Sequence, residues 1–384
     1  MAWSIGSNDV ANSMSTAVGA KAITLRQALI IASILNFLGA VLVGKHVTDT
    51  IKNKIIDASL INNPNAILLG FLAALLSASI FVTFSTWKEL PVSTTHAIVG
   101  GVTGFGLIEG GLNVIKWKTI EMVTASWIFS PIAGVLISFI IFKAIAKFVF
   151  SSDKPRRSAE KFGPIFVGLT IFIITLSIFT KTRVGSMINL GMIGYIALSL
   201  LSGFISSIPG YFLIKKIKGK GHEIVEKIFK RLQVMTSCYV AFSHGANDVA
   251  NAAAPVAVVI SLAWHRVSDI YLLALGGFGI AIGILTWGYK VIRTVGSRIT
   301  ALTNTRGFSI DFSAATVVLT ASKLGMPIST SHTVVGAVIG VGLARGLEAV
   351  DLGIVKKIIY SWLFTLPATM ITSILIYMGL QIIF

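Results

Sequence analysis

The sequence predicts an all-α polytopic membrane protein, made of two inverted-topology repeats with re-entrant helical hairpins and about 12 transmembrane segments. Three observations lead there. Of 384 residues, 54% are hydrophobic and only 12% charged, with a mean hydropathy of +0.85, whereas a soluble domain carries about 25% charged residues. Apolar runs approaching or exceeding the ~20 residues that cross a bilayer recur at 66–84, 119–142, 163–179, 188–214, 270–287 and 354–384. Two polar motifs interrupt this apolar background, and each occurs twice in the same order.

The first motif is Ser4-Ile-Gly-Ser-Asn-Asp-Val-Ala-Asn12, repeated as Ser243-His-Gly-Ala-Asn-Asp-Val-Ala-Asn251. Asn8 pairs with Asn247 and Asp9 with Asp248, 239 positions on. The second is Pro91-Val-Ser-Thr-Thr-His96, repeated 236 positions on as Pro327-Ile-Ser-Thr-Ser-His332. Residues 44–55 also line up with 288–299, and Ser126-Trp-Ile-Phe-Ser-Pro131 with Ser361-Trp-Leu-Phe-Thr-Leu-Pro367. The chain therefore divides into a first repeat (1–150), a connector with two spans and two basic loops (151–230), and a second repeat (231–384). Such repeats commonly relate by inversion in the membrane, with the site at their junction. The inversion follows if each half crosses an odd number of times.

The start of the chain departs from its copy. A largely apolar approach of about a dozen residues (231–242) leads into the second motif, but only Met1-Ala-Trp precede the first. A matching half-helix upstream of Met1 is the expectation. No cleavable signal peptide is visible, and the first span would direct insertion.

Around the second motif the apolar run breaks. Residues 66–84 are apolar, 85–96 are not, and 97–104 resume the run; 314–320, 322–332 and 333–340 repeat the pattern. Each arm reads as short for a full crossing, which suits a helical hairpin with its tip inside the membrane. Pro followed by Ser/Thr marks a helix start, because Pro is tolerated in the first turn and a hydroxyl caps the free amides. Irregular backbone at that depth survives only when buried in protein or lining a wet cavity. Glycines such as Gly100, Gly101 and Gly104 fit close helix packing better than a phosphate cradle.

The net charge of +17 resembles a nucleic-acid signature, but its distribution argues against one. Much of it lies in two loops, with Lys154, Arg156, Arg157 and Lys161 in one and Lys215, Lys216, Lys218, Lys220, Lys227, Lys230 and Arg231 in the other. The two spans between them return the chain to the same face, and Lys/Arg bias marks that face as cytoplasmic. Attraction to anionic lipid accounts for the charge; no nucleic-acid partner is expected. Lys88 and Lys323, near the hairpin tips, read as snorkelling to an interface. The lone Cys238 excludes an internal disulfide and a cysteine metal cluster.

Each half supplies an acid, two amides, several hydroxyls and a helix start. Helix N-termini bind anions, and Ser93, Thr94, Thr95, Ser329, Thr330 and Ser331 add hydroxyl donors, so the site suits a tetrahedral oxyanion. Asn8 and Asn247 join this set. Asp9 and Asp248 would repel such an anion unless a positive charge intervenes. A hard cation held by Asn8, Asp9, Asn12, Asn247, Asp248 and Asn251 is one solution, since hard cations take oxygen ligands. A protonated phosphate P–OH donating to an Asp is the other. Polar residues in membrane helices often only bridge helices, at about 0.6 kcal/mol each, but bridging does not require an acid in both copies. His96 and His332 suit either substrate contact or a hydrogen bond to a nearby carbonyl. His244 is not a symmetric ligand, because Ile5 stands at its counterpart.

These motifs resemble those of the PiT family of inorganic phosphate transporters. The Gly-Ala-Asn-Asp-Val-Ala-Asn block is intact at 245–251 and altered at 6–12, where Ser7 replaces Ala. The paired Pro-hydrophobe-Ser-Thr-(Ser/Thr)-His block is equally typical, and the resemblance covers nearly the whole chain. It implies a twelve-segment inverted-repeat fold in the cytoplasmic membrane, a dimer, no cofactor, and symport of phosphate with sodium or, in some members, protons. The short basic loop between the halves matches prokaryotic members. Sulfate is the nearest rival substrate, but sulfate cannot donate a hydrogen bond to an Asp at neutral pH and phosphate can. An intramembrane hydrolase built on Ser243 with His244, or Ser93 with His96, is the reading from another class. Adjacent Ser and His do not by themselves make a nucleophile–base pair, and an enzyme would not need the site twice.

Overall fold

Small residues decide which helix faces turn inward. In helix α3 (Leu25–Val43) the buried positions are Ala28, Ala32, Ser33, Asn36, Gly39 and Ala40, one stripe at helical spacing, while Ile30, Ile34, Leu38 and Leu42 point outward and are exposed. An apolar outer face around a small-residue inner face is the pattern of a helix solvated by lipid. The structure, a computed structural model, describes all residues except 45–54, 58, 59, 62, 182, 220, 264–267 and 324–327, and the side chains of 181, 183, 184, 186, 261–263, 322 and 323. Most of the 44–55 repeat match, Pro327 and the Lys323 side chain therefore lie outside the described residues.

The chain begins with α1 (Ala2–Asp9) and α2 (Ala11–Gly19), broken at Val10, followed by α3. Helix α4 (Pro64–Trp87) and helix α5 (Thr94–Gly110) form the first hairpin. Helix α6 (Trp117–Ile145) closes the first half. Helices α7 (Pro155–Lys181), α8 (Arg183–Ile188) and α9 (Gly191–Lys215) make the connector. The second half runs through α10 (Gly221–Ala263), α11 (Asp269–Trp287), α12 (Tyr289–Arg293), the second hairpin α13 (Asn304–Lys323) and α14 (Thr330–Leu343), and α15 (Leu352–Ile383). The described residues are almost wholly helical; seven helices, α3, α4, α6, α7, α9, α11 and α15, are long and apolar enough to cross a membrane. The expected count of about 12 segments additionally credits the shorter and more polar helices.

Two details of the hairpins differ from expectation. Helix α4 continues through Ser85, Thr86 and Trp87 to 24 residues, about 36 Å at 1.5 Å per residue, so this arm is long enough to cross. The apolar run ended earlier than the helix because Ser85 and Thr86 donate back to the carbonyls of Phe81 and Val82 at 2.9 and 2.8 Å, which removes the cost of a hydroxyl in the apolar layer. Secondly, Pro91 precedes the cap instead of sitting in the first turn; Ser93 is the cap, and its Oγ accepts from the amide of His96. Ser329 does the same for His332. Each cap stabilises its helix by about 1 kcal/mol.

The two halves interlock. Helix α5 packs on α15, and its counterpart α14 packs on α6; helix α1 packs on α11, and α10 packs on α3. Each hairpin thus leans on the last helix of the other half. Glycine makes these approaches possible. A Cβ on Gly6 would strike the backbone of Ile280, and one on its counterpart Gly245 would strike that of Asn36. Gly100 faces Leu366 and Thr369 of α15 in the same way, and Gly336 faces Pro131 of α6.

The basic loops gather at one end. His222, at the start of α10, stacks on Phe150 beyond the end of α6 with centroids 5.5 Å apart. Glu226 accepts from Thr303 and Thr305 at the start of α13. The α6–α7 and α9–α10 connections therefore share a face, as the positive-inside reading requires.

Candidate functional site

Both copies of the first motif lie at the centre, with Asp9 and Asp248 almost fully buried. The amide of Asn12 in the first half donates to Ser331 of the second hairpin at 2.9 Å and to Thr330 at 3.4 Å. Its counterpart Asn251 donates to Thr95 of the first hairpin at 3.2 Å. Thr95 and Ser331 are themselves counterparts, so the two halves exchange the same contact. The hairpin tips also meet directly: Ser331 Oγ donates to the carbonyl of Val92 at 3.0 Å, and Trp362 Nε1 donates to that of Pro91 at 3.0 Å.

The other predicted residues divide by what their side chains touch. Thr94 Oγ1 donates to Asp9 Oδ2 at 2.6 Å, while Asp9 Oδ1 has no partner. Ser93 and Ser329 accept from backbone amides and keep their hydroxyl protons to donate. Asn8 turns to the first hairpin: its amide donates to Thr86 Oγ1 and the Leu90 carbonyl, both at 3.0 Å, and its carbonyl accepts from the amide of Val92 at 3.1 Å. That side chain holds the loop in place. Asn247 lines a cavity of about 30 Å³ with Asn12, Ser243, His244 and Thr330, room for roughly two waters.

His244 stands between the two acids. Its Nε2 is 2.7 Å from Asp248 Oδ2 and 3.6 Å from Asp9 Oδ2, and ligand atoms of the three residues lie within 4.8 Å of one another. Its Nδ1 lies 2.5 Å from Asn36 Oδ1. The Asn36 amide donates to the carbonyl of Ala32 at 2.8 Å, so its oxygen faces the ring and accepts from Nδ1–H. On the other side Nε2 and the Asp248 carboxylate stand at ion-pair distance, though neither of the two atoms has a hydrogen-bond partner among the described residues. Symmetry reasoning passed over His244 as a ligand because Ile5 stands at its counterpart; spatial convergence with the acids was not legible in the chain order.

A second buried acid was missed. Asp311 of α13 is 1% exposed. Its Oδ1 accepts from Thr16 of α2 at 2.7 Å, and its Oδ2 from Ser237 of α10 at 2.6 Å and Thr236 at 3.5 Å. It therefore ties the first half to two helices of the second. The rule that singled out Asp9, an acid in apolar sequence, would have found it; attention to repeats concealed it, because Leu75 stands at its counterpart.

One turn behind the tips, His96 and His332 meet edge to face with centroids 4.9 Å apart, and His332 stacks on Trp362 at 3.8 Å. Neither ring takes the hydrogen bond to a carbonyl that the sequence allowed; all four ring nitrogens are without a partner.

The profile of the phosphate transporter family matches residues 5–373. A protein of Pyrococcus furiosus named as a phosphate permease is 49% identical over 391 residues, covering all of this chain and 94% of that protein. A protein of Arabidopsis thaliana named inorganic phosphate transporter 2-1, chloroplastic, is 42% identical over 96% of this chain and 68% of its own length. A solved structure described as the sodium-dependent phosphate transporter superposes with a TM-score of 0.90 at 46% identity, over 100% of this chain and 97% of that one.

Proposed function

Because this chain belongs to the phosphate transporter family, an integral membrane group of transporters and not of enzymes, we propose that it imports inorganic phosphate across the cytoplasmic membrane. Import is by symport with a cation, sodium first, through alternating access, and the working unit is a homodimer. The observation that carries this reading is the convergence of Asp9 and Asp248, one from each half, beside two hydroxyl-rich hairpin tips. Phosphate takes the free helix N-termini and the hydroxyls of Ser93, Thr94, Thr95, Ser329, Thr330 and Ser331. The cation takes Asp9, Asp248, Asn12 and Asn251, with Asn247 reaching the same cavity, and neutralises the acids that would otherwise repel the anion. Attraction between ions at such range amounts to several kcal/mol even at an effective dielectric of about 20. Asn8 acts through the loop it anchors, an indirect part in place of the direct one expected from its position in the motif.

The neighbour described as sodium-dependent supports sodium as the partner. The close approach of the titratable His244 to Asp248 and Asp9 supports a proton in the cycle as a second reading. Equilibrium binding separates them. If sodium and phosphate share the site, each must tighten the other by the same factor; at least about tenfold is expected, or about 1.4 kcal/mol. Phosphate affinity is measured with sodium present or replaced by choline, at fixed pH. Equal affinities would reject sodium coupling and transfer it to the proton, and affinity should then follow pH.

A further inference from the structure

At the basic end, Lys227, Lys230, Arg231 and Val234 occupy positions i, i+3, i+4 and i+7 of α10 and so share one face. With Ile217 they line a groove of about 510 Å³. Lys230 also borders a second groove, of about 370 Å³, that contains Lys21 in the turn between α2 and α3. Lys227 pairs with Glu223 at 2.6 Å. Among the described residues, no carboxylate lies within ion-pair distance of Lys230, Arg231 or Lys21. Three cations thus converge without counter-charge beside an apolar wall.

Depth along the helix narrows the ligand. Arg231 precedes Asp248 by 17 residues, about 25 Å at 1.5 Å per residue. Sites of this kind lie near the bilayer midplane, and the hydrocarbon extends ~15 Å from it, with headgroups to ~20–22 Å. At a tilt of about 20° the Arg231 backbone lies about 24 Å from the midplane, just outside the headgroup layer, into which its long side chain can reach back, and Val234 lies about 20 Å out, within that layer. A free anion would need the cations alone; the apolar wall continuing toward the hydrocarbon suits a ligand with an acyl chain attached to its charge.

We propose that this groove seats an anionic phospholipid of the leaflet on the basic side, its phosphate held by Lys230 and Arg231, with Lys227 at the rim, and its glycerol backbone lying against Ile217 and Val234 on the way to the hydrocarbon. Lys21 reaches the headgroup from the neighbouring groove. The site is separate from the transport site, and it lies on the helix that carries His244 and Asp248.

The test is native mass spectrometry of the detergent-solubilised, full-length protein titrated with phosphatidylglycerol or phosphatidylcholine. The wild type should hold phosphatidylglycerol at least tenfold more tightly. The combined variant Lys227→Gln, Lys230→Gln, Arg231→Gln should lose that preference, since each cation near an anionic surface contributes about tenfold or less. The combined variant Lys154→Gln, Arg156→Gln, Arg157→Gln, in the other basic loop, should keep it. Excess inorganic phosphate should not displace the lipid. Equal retention of the two lipids by the wild type, an undiminished preference in the first variant, or displacement by inorganic phosphate would each overturn the proposal, the last by making the groove a free-anion site. Thermal unfolding checks that the variants are folded. If the triple variant is not, Arg231→Gln alone should lower the preference at least threefold, and no change would overturn the proposal equally.

Discussion

The two copies of the first motif use one backbone device and two different chemistries. Gly6 and Gly245 each let the motif helix touch a helix of the opposite half, and Asn12 and Asn251 each hold the opposite hairpin. Around this matched frame the halves diverge. Ile5 is an apolar core residue, whereas its counterpart His244 joins Asp248 and Asp9. Ile280 and Leu75 stand where the second arrangement has Asn36, which holds His244, and Asp311, which gathers three hydroxyls. The motif helix itself differs, broken at Val10 in the first copy and continuous in α10. On the proposed function, the matched frame would enclose a tetrahedral anion from two sides, and the unmatched groups would place proton- or cation-binding chemistry in positions that duplication alone would have supplied twice.

Breaking the matched acids should have the largest effect. Asp9→Asn and Asp248→Asn should each reduce uptake of labelled phosphate into proteoliposomes at least about a hundredfold, or about 2.8 kcal/mol, with the protein still folded. Near-normal uptake in both variants would make the acids structural. The matched glycines come next, read in stability. Gly6→Ala and Gly245→Ala should each cost about 1–3 kcal/mol, because the added methyl meets backbone that cannot rotate away. Thermal unfolding measures this, and a large loss in one copy only would mean that the two approaches are not equivalent.

The unmatched groups should have smaller effects that depend on the cation. Asp311→Asn removes the charge and keeps an acceptor on one side only, the other side becoming an NH2 donor that the facing hydroxyl must turn to accept; it should lower sodium-driven uptake about tenfold with a small fall in unfolding temperature. A variant that unfolds early but transports normally once folded would assign Asp311 to helix bridging alone. Asn36→Ile installs the residue found at the mirror position, Ile280, and leaves the Nδ1–H of His244 unpaired. An unsatisfied buried donor costs about 1–3 kcal/mol, part of which repacking recovers, so uptake should fall about threefold to tenfold. Restoration by Asn36→Gln but not by Asn36→Ala would show that the acceptor, and not the volume, is what His244 needs.

The polytopic helical class, the hairpins, the two basic loops on one face and the pairing of the motifs were legible in the residues alone. Each follows from a local cost: a charge or an uncapped helix end is expensive in hydrocarbon, so composition, Pro-hydrophobe-Ser-Thr blocks and Lys/Arg clusters mark where these costs are met. The extent of α4 was not legible, because Ser85 and Thr86 read as a break until their hydroxyls are seen to bond within the helix. The exchange of hairpins between halves, the turning of Asn8 toward a loop, and the gathering of His244, Asn36 and Asp311 around the centre were decided by tertiary structure. Those groups lie as far apart as 319 positions, as Asn12 and Ser331 do. Chain order records that a buried polar group must find a partner; which partner it finds depends on which helices the glycines allow to touch.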